Sequence, residues 1–381
     1  MHICFITSEF PKPGFPHGGV GTFVATLGKA LVKNGIEVSV IGLNCTDKEQ
    51  VENVDGISVY RVSPPKVKGL QWYFNAKVIA NKIKEIHQIK SFDFVETAEL
   101  GLAFLPKIKG IQYVIRMHGG HHFFTQSENR KTEWWKVLQE KRSFSKADHI
   151  IAVSHYVAKT TSDLLKLKKR SIEVIYNPID TTKFYVCDQS KIERNTIFFA
   201  GSIIEKKGIR QLVQSLNFLV DEFPNVHLYI AGRDANLPGT NLPYRPLLEK
   251  EINSKIEQHI TFLGVVPNNE IAQHIEKAEV CCYPSHMEAM PLAWLEVMAM
   301  GKTFVGSKTG PGPEAITDNV TGLLVNPHDP KDIAEKIKYL FNNPEKAAEL
   351  GYKARISVLE KFEISTIVNE NIAFYTKISK K

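Results

Sequence analysis

The feature that most constrains this chain is a rhythm that it runs through twice. Short apolar runs of strand length alternate with longer stretches whose apolar residues recur at helical spacing. Residues 3–6 read as a strand. Residues 22–33 read as a helix, with Phe23, Leu27, Ala30 and Leu31 on one face, and Gly35 sits where that helix must stop. Residues 37–41 read as the next strand, and strand, helix, strand in that order builds a parallel sheet. The series continues with a helix at 78–89, strands at 92–95, 113–117, 149–153 and 173–176, and a helix at 155–165. The turn-rich stretch 177–195 then breaks the pattern and reads as a linker. A second series follows, with strands at 196–200, 226–231, 260–263, 280–283 and 303–306 and helices at 208–223, 247–258, 329–341 and 347–362. A chain of 381 residues is also too long for one core. The expected architecture is α/β: two doubly wound Rossmann-like domains, 1–180 and 195–362, facing across a cleft. Ligands of open parallel sheets bind beyond the carboxyl ends of the strands, which both domains would turn to that cleft.

Composition narrows the function mainly by exclusion. The five cysteines, at 4, 45, 187, 281 and 282, are odd in number and lack metal-type spacing, which argues against a disulfide framework or a zinc site. The N-terminus, MHICFITSEF, lacks the parts of a signal peptide, and no apolar run reaches membrane-spanning length. The expected location is the cytoplasm. A net charge of +7 is a mild excess, without the clustered basic and aromatic pattern of a nucleic-acid binder. The basic stretches 66–90, 136–146 and 166–170 read most plainly as solvated helix faces. Their sharper reading is peripheral contact with the inner face of a membrane.

The most informative segment is PSHMEAMPLAWLEVMAMG, residues 284–301. Pro291 suits the first turn of a helix and Gly301 its end, so a helix is expected over about 291–300, directly after a strand. The backbone N–H groups of Ala289, Met290 and Leu292, on either side of Pro291, then make an anion site suited to phosphate. The helix is apolar almost all round, and Glu296 is its one charged side chain. A carboxylate there is either a structural ion pair or a ligand for hydroxyls such as a ribose diol. Glu288, in the loop before the helix, is either a capping residue or one that reaches toward a ligand.

Three further segments carry glycine turns after strands. FAGSIIEKKG, residues 199–208, ends a strand in a turn before Lys207, a cation suited to a departing diphosphate, or otherwise a solvated surface lysine. HGGVGTF, residues 17–23, brings backbone close to a phosphate or sugar at Gly19 without the full dinucleotide fingerprint. RMHGG, residues 116–120, places His118 at the carboxyl end of a strand. His121 and His122 follow at once and would hold a metal only with a carboxylate partner that the sequence does not single out.

Together these segments resemble retaining glycosyltransferase family 4, whose fold is of the GT-B type. The spacing of Glu288 and Glu296 between Ser285 and Gly301 is the centre of the resemblance, which extends over about the whole chain and is loosest at 48–111. The resemblance implies that Glu288 contacts the donor sugar and Glu296 the nucleotide ribose. It implies that Lys207 binds the diphosphate, that the Gly19 loop closes over it, and that His118 lies near the donor sugar. YIAGRD (229–234) and TFLGVVPNNEI (261–271) resemble the strands whose ends, here Gly264 and Val265, hold the base. GPGPEAI (310–316) resembles the glycine-rich loop with a glutamate, though Glu314 could instead cap the following helix. The C-terminal segment 363–381 resembles a tail helix that packs back on the first domain. The family commonly carries an arginine where this chain has Ser202, and Lys206 and Arg210 are candidates to replace it.

The function so implied is transfer of a hexose from a UDP- or GDP-sugar to a saccharide or lipid-linked saccharide, with retention, in polysaccharide or glycoconjugate synthesis. No cofactor or metal is called for, since no Asp-x-Asp pair occurs. The acceptor would be read by loops at 71–75 and 121–135. Two rivals stay open. One is an epimerase or phosphorylase on a similar scaffold, and the other a nucleotide-sugar-binding protein with a degenerate site.

Overall fold

A computed structural model describes every residue except 16, 47, 67, 68, 128–130, 238 and 381. The chain divides into two compact units. The first comprises Met1–Pro178 and the C-terminal segment from Ile364, and the second comprises Ile179–Glu363. Residues 179–192, which read as linker, therefore belong to the second unit.

Unit 1 is built on an eight-stranded sheet in the order β3-β4-β2-β1-β5-β6-β7-β8. Its strands are β1 (His2–Ile6), β2 (Glu37–Leu43), β3 (Gln50–Val54), β4 (Ile57–Val62), β5 (Phe94–Thr97), β6 (Gln112–Met117), β7 (His149–Ala152) and β8 (Glu173–Val174). All pair in parallel except β3, which returns antiparallel to β4 along the edge. The β3–β4 hairpin is absent from the sequence expectation. Its signal is the Asp55-Gly56 pair, which adopts the positive φ values of a tight hairpin turn, 53° and 85°. The helices are α1 (Gly19–Lys33), α2 (Gln71–Ile89), α3 (His121–Ser127), α4 (Trp134–Lys146) and α5 (His155–Leu165). Residues 71–75, expected as a loop, form the first turn of α2, where Trp72 packs on Phe104 and Trp135 at 4.0 and 5.3 Å between ring centroids. The expected loop 121–135 holds α3 and the start of α4, and its residues 128–130 lie outside the described set. The C-terminal helix Ile364–Ser379 joins this unit's core, with Ile367, Val368, Phe374, Tyr375 and Ile378 buried in one cluster with Phe23, Leu27 and Phe94.

Unit 2 carries a six-stranded parallel sheet in the order β11-β10-β9-β12-β13-β14. Its strands are β9 (Glu193–Ala200), β10 (His227–Ala231), β11 (Ile260–Gly264), β12 (Ala278–Tyr283), β13 (Phe304–Ser307) and β14 (Leu323–Val325). Its helices are α6 (Ile209–Ser215), α7 (Arg245–Glu249), α8 (Ile271–Lys277), α9 (Leu292–Ala299), α10 (Gly312–Ala315), α11 (Pro330–Asn342) and α12 (Pro344–Lys361). Two expected helices are shorter than their apolar spacing suggests. The run 208–223 is helical only to Ser215 before a 3-10 turn. The run 247–258 holds only the end of α7 and the start of a 3-10 turn, Glu257–His259, and between them the Asn253 side chain accepts the Lys255 amide at 3.0 Å and offers the backbone a turn in place of a helix. β12 is buried along its whole length, Cys281 and Cys282 included, as expected of a central parallel strand covered on both faces.

Among the described residues, no helix is long and apolar enough to cross a membrane. None of their His, Cys, Asp and Glu side chains gather in a group of three or more that could hold a metal.

Candidate active site

In unit 2 the candidate residues gather beyond the carboxyl ends of β9, β12 and β13. β9 ends at Ala200, and the turn that follows carries Ser202 and then the short 3-10 segment Glu205–Lys207. Gly208 closes that segment with φ +67°, and a Cβ on it would stand 1.9 Å from the Pro284 carbonyl oxygen. Only glycine fits there, and its absent side chain brings the β9 turn onto the loop after β12. The His286 amide adds a hydrogen bond of 2.8 Å to the Lys206 carbonyl. The result is an ion pair between Lys207 and Glu288, whose chain positions are far apart.

Glu288 is 8% exposed, so it is a buried member of this pair and not a loop side chain free in solvent. Lys207 is half-buried against it, which removes the reading of a solvated surface lysine. The loop after β13 supports Glu288 from the other side. There the Thr309 hydroxyl donates to the His286 carbonyl at 2.7 Å, and Gly310, with φ +61°, lies under Met287 and the Glu288 backbone. Ala289 and Met290 are buried beside Glu288.

Pro291 is not in the first helical turn. It is the N-cap, with ψ 126°, and α9 begins at Leu292. A proline cap leaves the N–H groups of the first turn without a side-chain partner, so they point out of the helix end unclaimed by capping. At the other end Gly301 has φ +65°, and the Gly301 and Lys302 amides bond back to Met298 and Val297, which is a Schellman closure.

Glu296 lies half-buried on α9. Burial pushes its carboxyl up to about 7, while the Lys183 ammonium pulls the other way. Among the described residues no hydrogen bond or ion pair ties the carboxylate down, so the structural ion pair that the sequence allowed is not formed. Lys183 itself hydrogen-bonds Asn268, and burial lowers its pKa against the field of Glu296. At the end of β11, Gly264 takes φ +71° and its carbonyl accepts the Gly232 amide at 2.7 Å. Val265 follows with 71% of its surface exposed.

Arg210 does not replace the missing arginine at Ser202. Its guanidinium is bidentate on Glu205, with Nη2 2.6 Å from Oε1 and Nε 2.9 Å from Oε2. The Tyr244 hydroxyl donates to the same carboxylate. Burial would raise the Glu205 carboxyl, but the Arg210, Tyr244 and Gln211 hydrogen bonds bring it down to about 2. The charge of Arg210 is thus spent within the protein. Glu314 lies in the first turn of the four-residue α10, and the N-cap of α11 is Asp329.

Unit 1 holds the other two candidates. Gly19 is the first residue of α1 and is exposed, with open space where a Cβ would stand. Close approach instead demands Gly18 and Gly21, whose Cβ atoms would meet the Glu9 side chain at 2.4 Å and the Glu9 carbonyl at 1.8 Å. His118 follows β6 and packs edge-on to Phe23 of α1, 4.9 Å between centroids. Burial drives its pKa down to about 3, and the positive charge of Arg116 adds to that. The imidazole is therefore neutral at physiological pH. His121 accepts the Glu133 amide at 3.0 Å, and His122 pairs with Glu140.

The sequence reading missed the groups that surround these residues. Arg116 is buried with Glu96, at 2.7 Å from Nε to Oε1, and Nη2 donates to Asn371 Oδ1 at 2.6 Å. The Tyr375 hydroxyl also donates to Glu96. One charge within the otherwise apolar strand YVIRM was the available signal, as Glu296 was within its helix. Lys183 gave no such signal, because it lies in the irregular stretch taken for a linker.

Known proteins resemble the chain along its whole length. The family model described as glycosyltransferase family 4 matches residues 17–183, and the model of group 1 glycosyl transferases matches residues 188–357. An uncharacterized glycosyltransferase of Methanocaldococcus jannaschii is 26% identical over 98% of this chain and 98% of its own. The N-acetyl-alpha-D-glucosaminyl L-malate synthase of Bacillus anthracis is 24% identical over 94% and 93%. Among solved structures, sucrose-phosphate synthase from Thermosynechococcus elongatus superposes with a TM-score of 0.85 at 20% identity, covering 99% of this chain and 98% of that one. Anabaena HepE in complex with UDP-glucose superposes with a TM-score of 0.75 at 17% identity, covering 98% and 99%.

The two parallel-sheet α/β units are those of a GT-B glycosyltransferase. The chain belongs to glycosyltransferase family 4, the group 1 glycosyl transferases, and is a transferase enzyme.

Proposed function

We propose that this enzyme transfers a hexose from a nucleotide sugar to a hydroxyl of a saccharide or lipid-linked saccharide, with retention of configuration, in polysaccharide or glycoconjugate synthesis. The observation that carries the reading is the buried Lys207–Glu288 pair, fixed where the ends of β9 and β12 converge. Cleavage of a glycosyl–phosphate bond moves negative charge onto the departing diphosphate and positive charge onto the sugar. Lys207 is the cation for the diphosphate, and the uncapped first-turn amides of α9 at Leu292 and beyond add to it. Glu288 takes the sugar hydroxyls, and Lys207 holds it oriented while the site awaits donor. Glu296 accepts the ribose diol, a role that suits a carboxylate with no protein partner. Ser202 faces the diphosphate turn without charge. Gly264 and the exposed Val265 offer the flat apolar edge that a nucleobase needs.

In unit 1, neutral His118 donates or accepts one hydrogen bond at the sugar without adding charge. Gly19 contributes open backbone for the diphosphate. The aromatic group Trp72, Trp134 and Trp135 on α2 and α4 suits stacking on an acceptor saccharide. No metal or organic cofactor has a part in the scheme. Cytoplasmic location, with peripheral contact of the basic helices on a membrane, fits a lipid-linked acceptor.

UDP-sugars are the first donors to test, because HepE has been solved with UDP-glucose. A thermal-shift screen over UDP-, GDP- and ADP-sugars should raise the midpoint with the true donor, since only folded protein binds it. Transfer to an acceptor should then depend on Glu288. No shift with any nucleotide sinks the proposal. Turnover of donor to its epimer without an acceptor favours an epimerase, and binding without any turnover favours a degenerate site.

A further inference from the structure

Behind His118 lies a group of acids for which glycosyl transfer as set out above has no use. Glu99, just after β5, is 4% exposed, and Glu140 of α4 is fully buried. Among the described residues only two buried carboxylate oxygens lack a hydrogen-bond partner, and they are Glu99 Oε1 and Glu140 Oε1. The Glu140 carboxyl and the Glu99 side chain close on one glycine. A Cβ on Gly120 would stand 1.9 Å from Glu140 Oε1 and 3.0 Å from Glu99 Cγ. Two unpartnered acceptors on side chains that flank one buried glycine are costly, and a proton shared between them removes the cost for both.

We propose that Glu99 is a positioning residue: its carboxyl carries a proton that it donates toward Glu140, and this acid pair clamps the 118–120 turn and so sets the place of His118. The other bonds of the pair fit that arrangement. Glu140 Oε2 accepts the His122 amide at 3.1 Å and pairs with the His122 imidazole, which leaves Oε1 as the free acceptor. Both side chains press on Gly120, so the clamp acts on the turn itself. Gly119 has φ +91° and Gly120 has no room for a side chain, so the turn cannot relax around a larger residue.

The titratable groups facing Glu99 are Glu140 on α4 and, through it, His122 on α3. Burial pushes the Glu99 carboxyl up to about 8, and the Glu140 charge adds to the rise. The sign of the pH dependence follows. The folded chain holds a proton that the unfolded chain releases in the ordinary carboxylate range. The stabilisation is full below that range, shrinks as pH rises and is lost through about pH 8.

The inference rests on the glycosyl-transfer reading for its effect on rate, but not for the proton. Infrared difference spectra of the full chain, wild type against Glu99→Gln, test the proton. A protonated-carboxyl band should be present in wild type at pH 7, fade through about pH 8 and be missing in the variant. In Glu140→Gln the band should fade at lower pH, because the facing negative charge is gone. Amide exchange at 118–120 should accelerate above pH 8 in wild type beyond its rise in Glu99→Gln. In transfer assays Glu99→Ala should lower kcat about tenfold with KM changed far less. Glu99→Gln should restore most of that rate and remove the alkaline fall. A missing band at pH 7 overturns the proposal, and so does an alkaline fall in Glu99→Gln equal to that of wild type. A band and an exchange difference without any transfer would leave the clamp standing and reject the reaction.

Discussion

The two units treat buried charge in opposite ways. In unit 2 the acids around the β9 and β12 turns meet cations: Glu288 has Lys207, Glu205 has Arg210, and Glu296 feels Lys183. In unit 1 the ring nearest the corresponding sheet edge, His118, is held neutral, and the acids behind it, Glu99 and Glu140, flank Gly120, each with one oxygen unpartnered. The cation of unit 1, Arg116, is spent on Glu96 deep in the core and acts on His118 only through its field. The difference fits the proposed roles: a departing diphosphate needs fixed positive charge, whereas His118 can hydrogen-bond a sugar without adding charge to the site.

The sharpest break of this comparison is Lys207→Ala. It removes the cation proposed for the diphosphate and leaves Glu288 buried without its partner. We expect kcat with the donor to fall by about 10²- to 10³-fold. Arg210→Met, the control, should cost far less, because Arg210 is already neutralised by Glu205. Equal losses in the two variants would mean that charge near the turn, and not the Lys207–Glu288 pair, is what matters.

In unit 1 the corresponding test is of stability. Arg116→Met leaves Glu96 buried without its cation, and unpairing a buried ion pair typically costs about 3–5 kcal/mol. Calorimetry should show one transition lowered and the other little changed, because Glu96, Arg116, Asn371 and Tyr375 all lie in unit 1. The same variant should raise the His118 pKa, read by NMR of its ring, because the Arg116 field is one cause of its depression. A His118 pKa that stays put would leave burial as the whole cause.

How much of this could be read from sequence follows from what each residue's neighbours are. The strand and helix series was legible because parallel strands are continuous apolar runs, as β12 is. The β3–β4 hairpin was passed over because its outer strand is exposed and lacks an apolar run, although Asp55-Gly56 marked its turn. Glu288, Glu296, Lys207 and His118 stood out by motif. Their partners did not. Lys183 is 113 positions from Glu296, and Glu99 meets Glu140 only because α4 folds back over the 118–120 turn. Arg210 is the instructive miss: a cation in the right segment looked available, and only the structure shows Glu205 and Tyr244 holding it.

A smaller effect separates Glu296 from the rest of the proposed donor site. Its carboxyl titrates at about 7. Below that pH it takes up a proton and loses one acceptor position for a diol, so nucleotide affinity should weaken as pH falls from 8 to 6. The expected change is about three- to tenfold, since a hydrogen bond to a charged group is worth roughly 1.5–3 kcal/mol and protonation forfeits part of it. Titration calorimetry should show that slope in wild type and a flat, weaker profile in Glu296→Gln. Lys183→Met removes the one opposing charge and should move the midpoint up. A wild-type profile as flat as that of the glutamine variant would take Glu296 out of the nucleotide site.

The smallest predicted effect is a gain. Ser202 is uncharged in the turn after β9, and Arg210 in the same segment is committed to Glu205. Ser202→Arg adds a guanidinium to a half-buried turn position near Lys207. A partly exposed cation beside a diphosphate gains little, about 1 kcal/mol or less, because solvent screens it and the long side chain must be ordered. Nucleoside diphosphate binding should tighten by no more than a few-fold, and more at low salt than at high. A donor-binding gain with unchanged kcat would mean that the new charge holds substrate and transition state alike. A gain in kcat would mean that Lys207 alone under-stabilises the leaving diphosphate, and that the serine limits the rate of this enzyme. Loss of binding would place Ser202 too close to the diphosphate for a larger side chain, and the turn would then recognise its ligand by fit and backbone more than by charge.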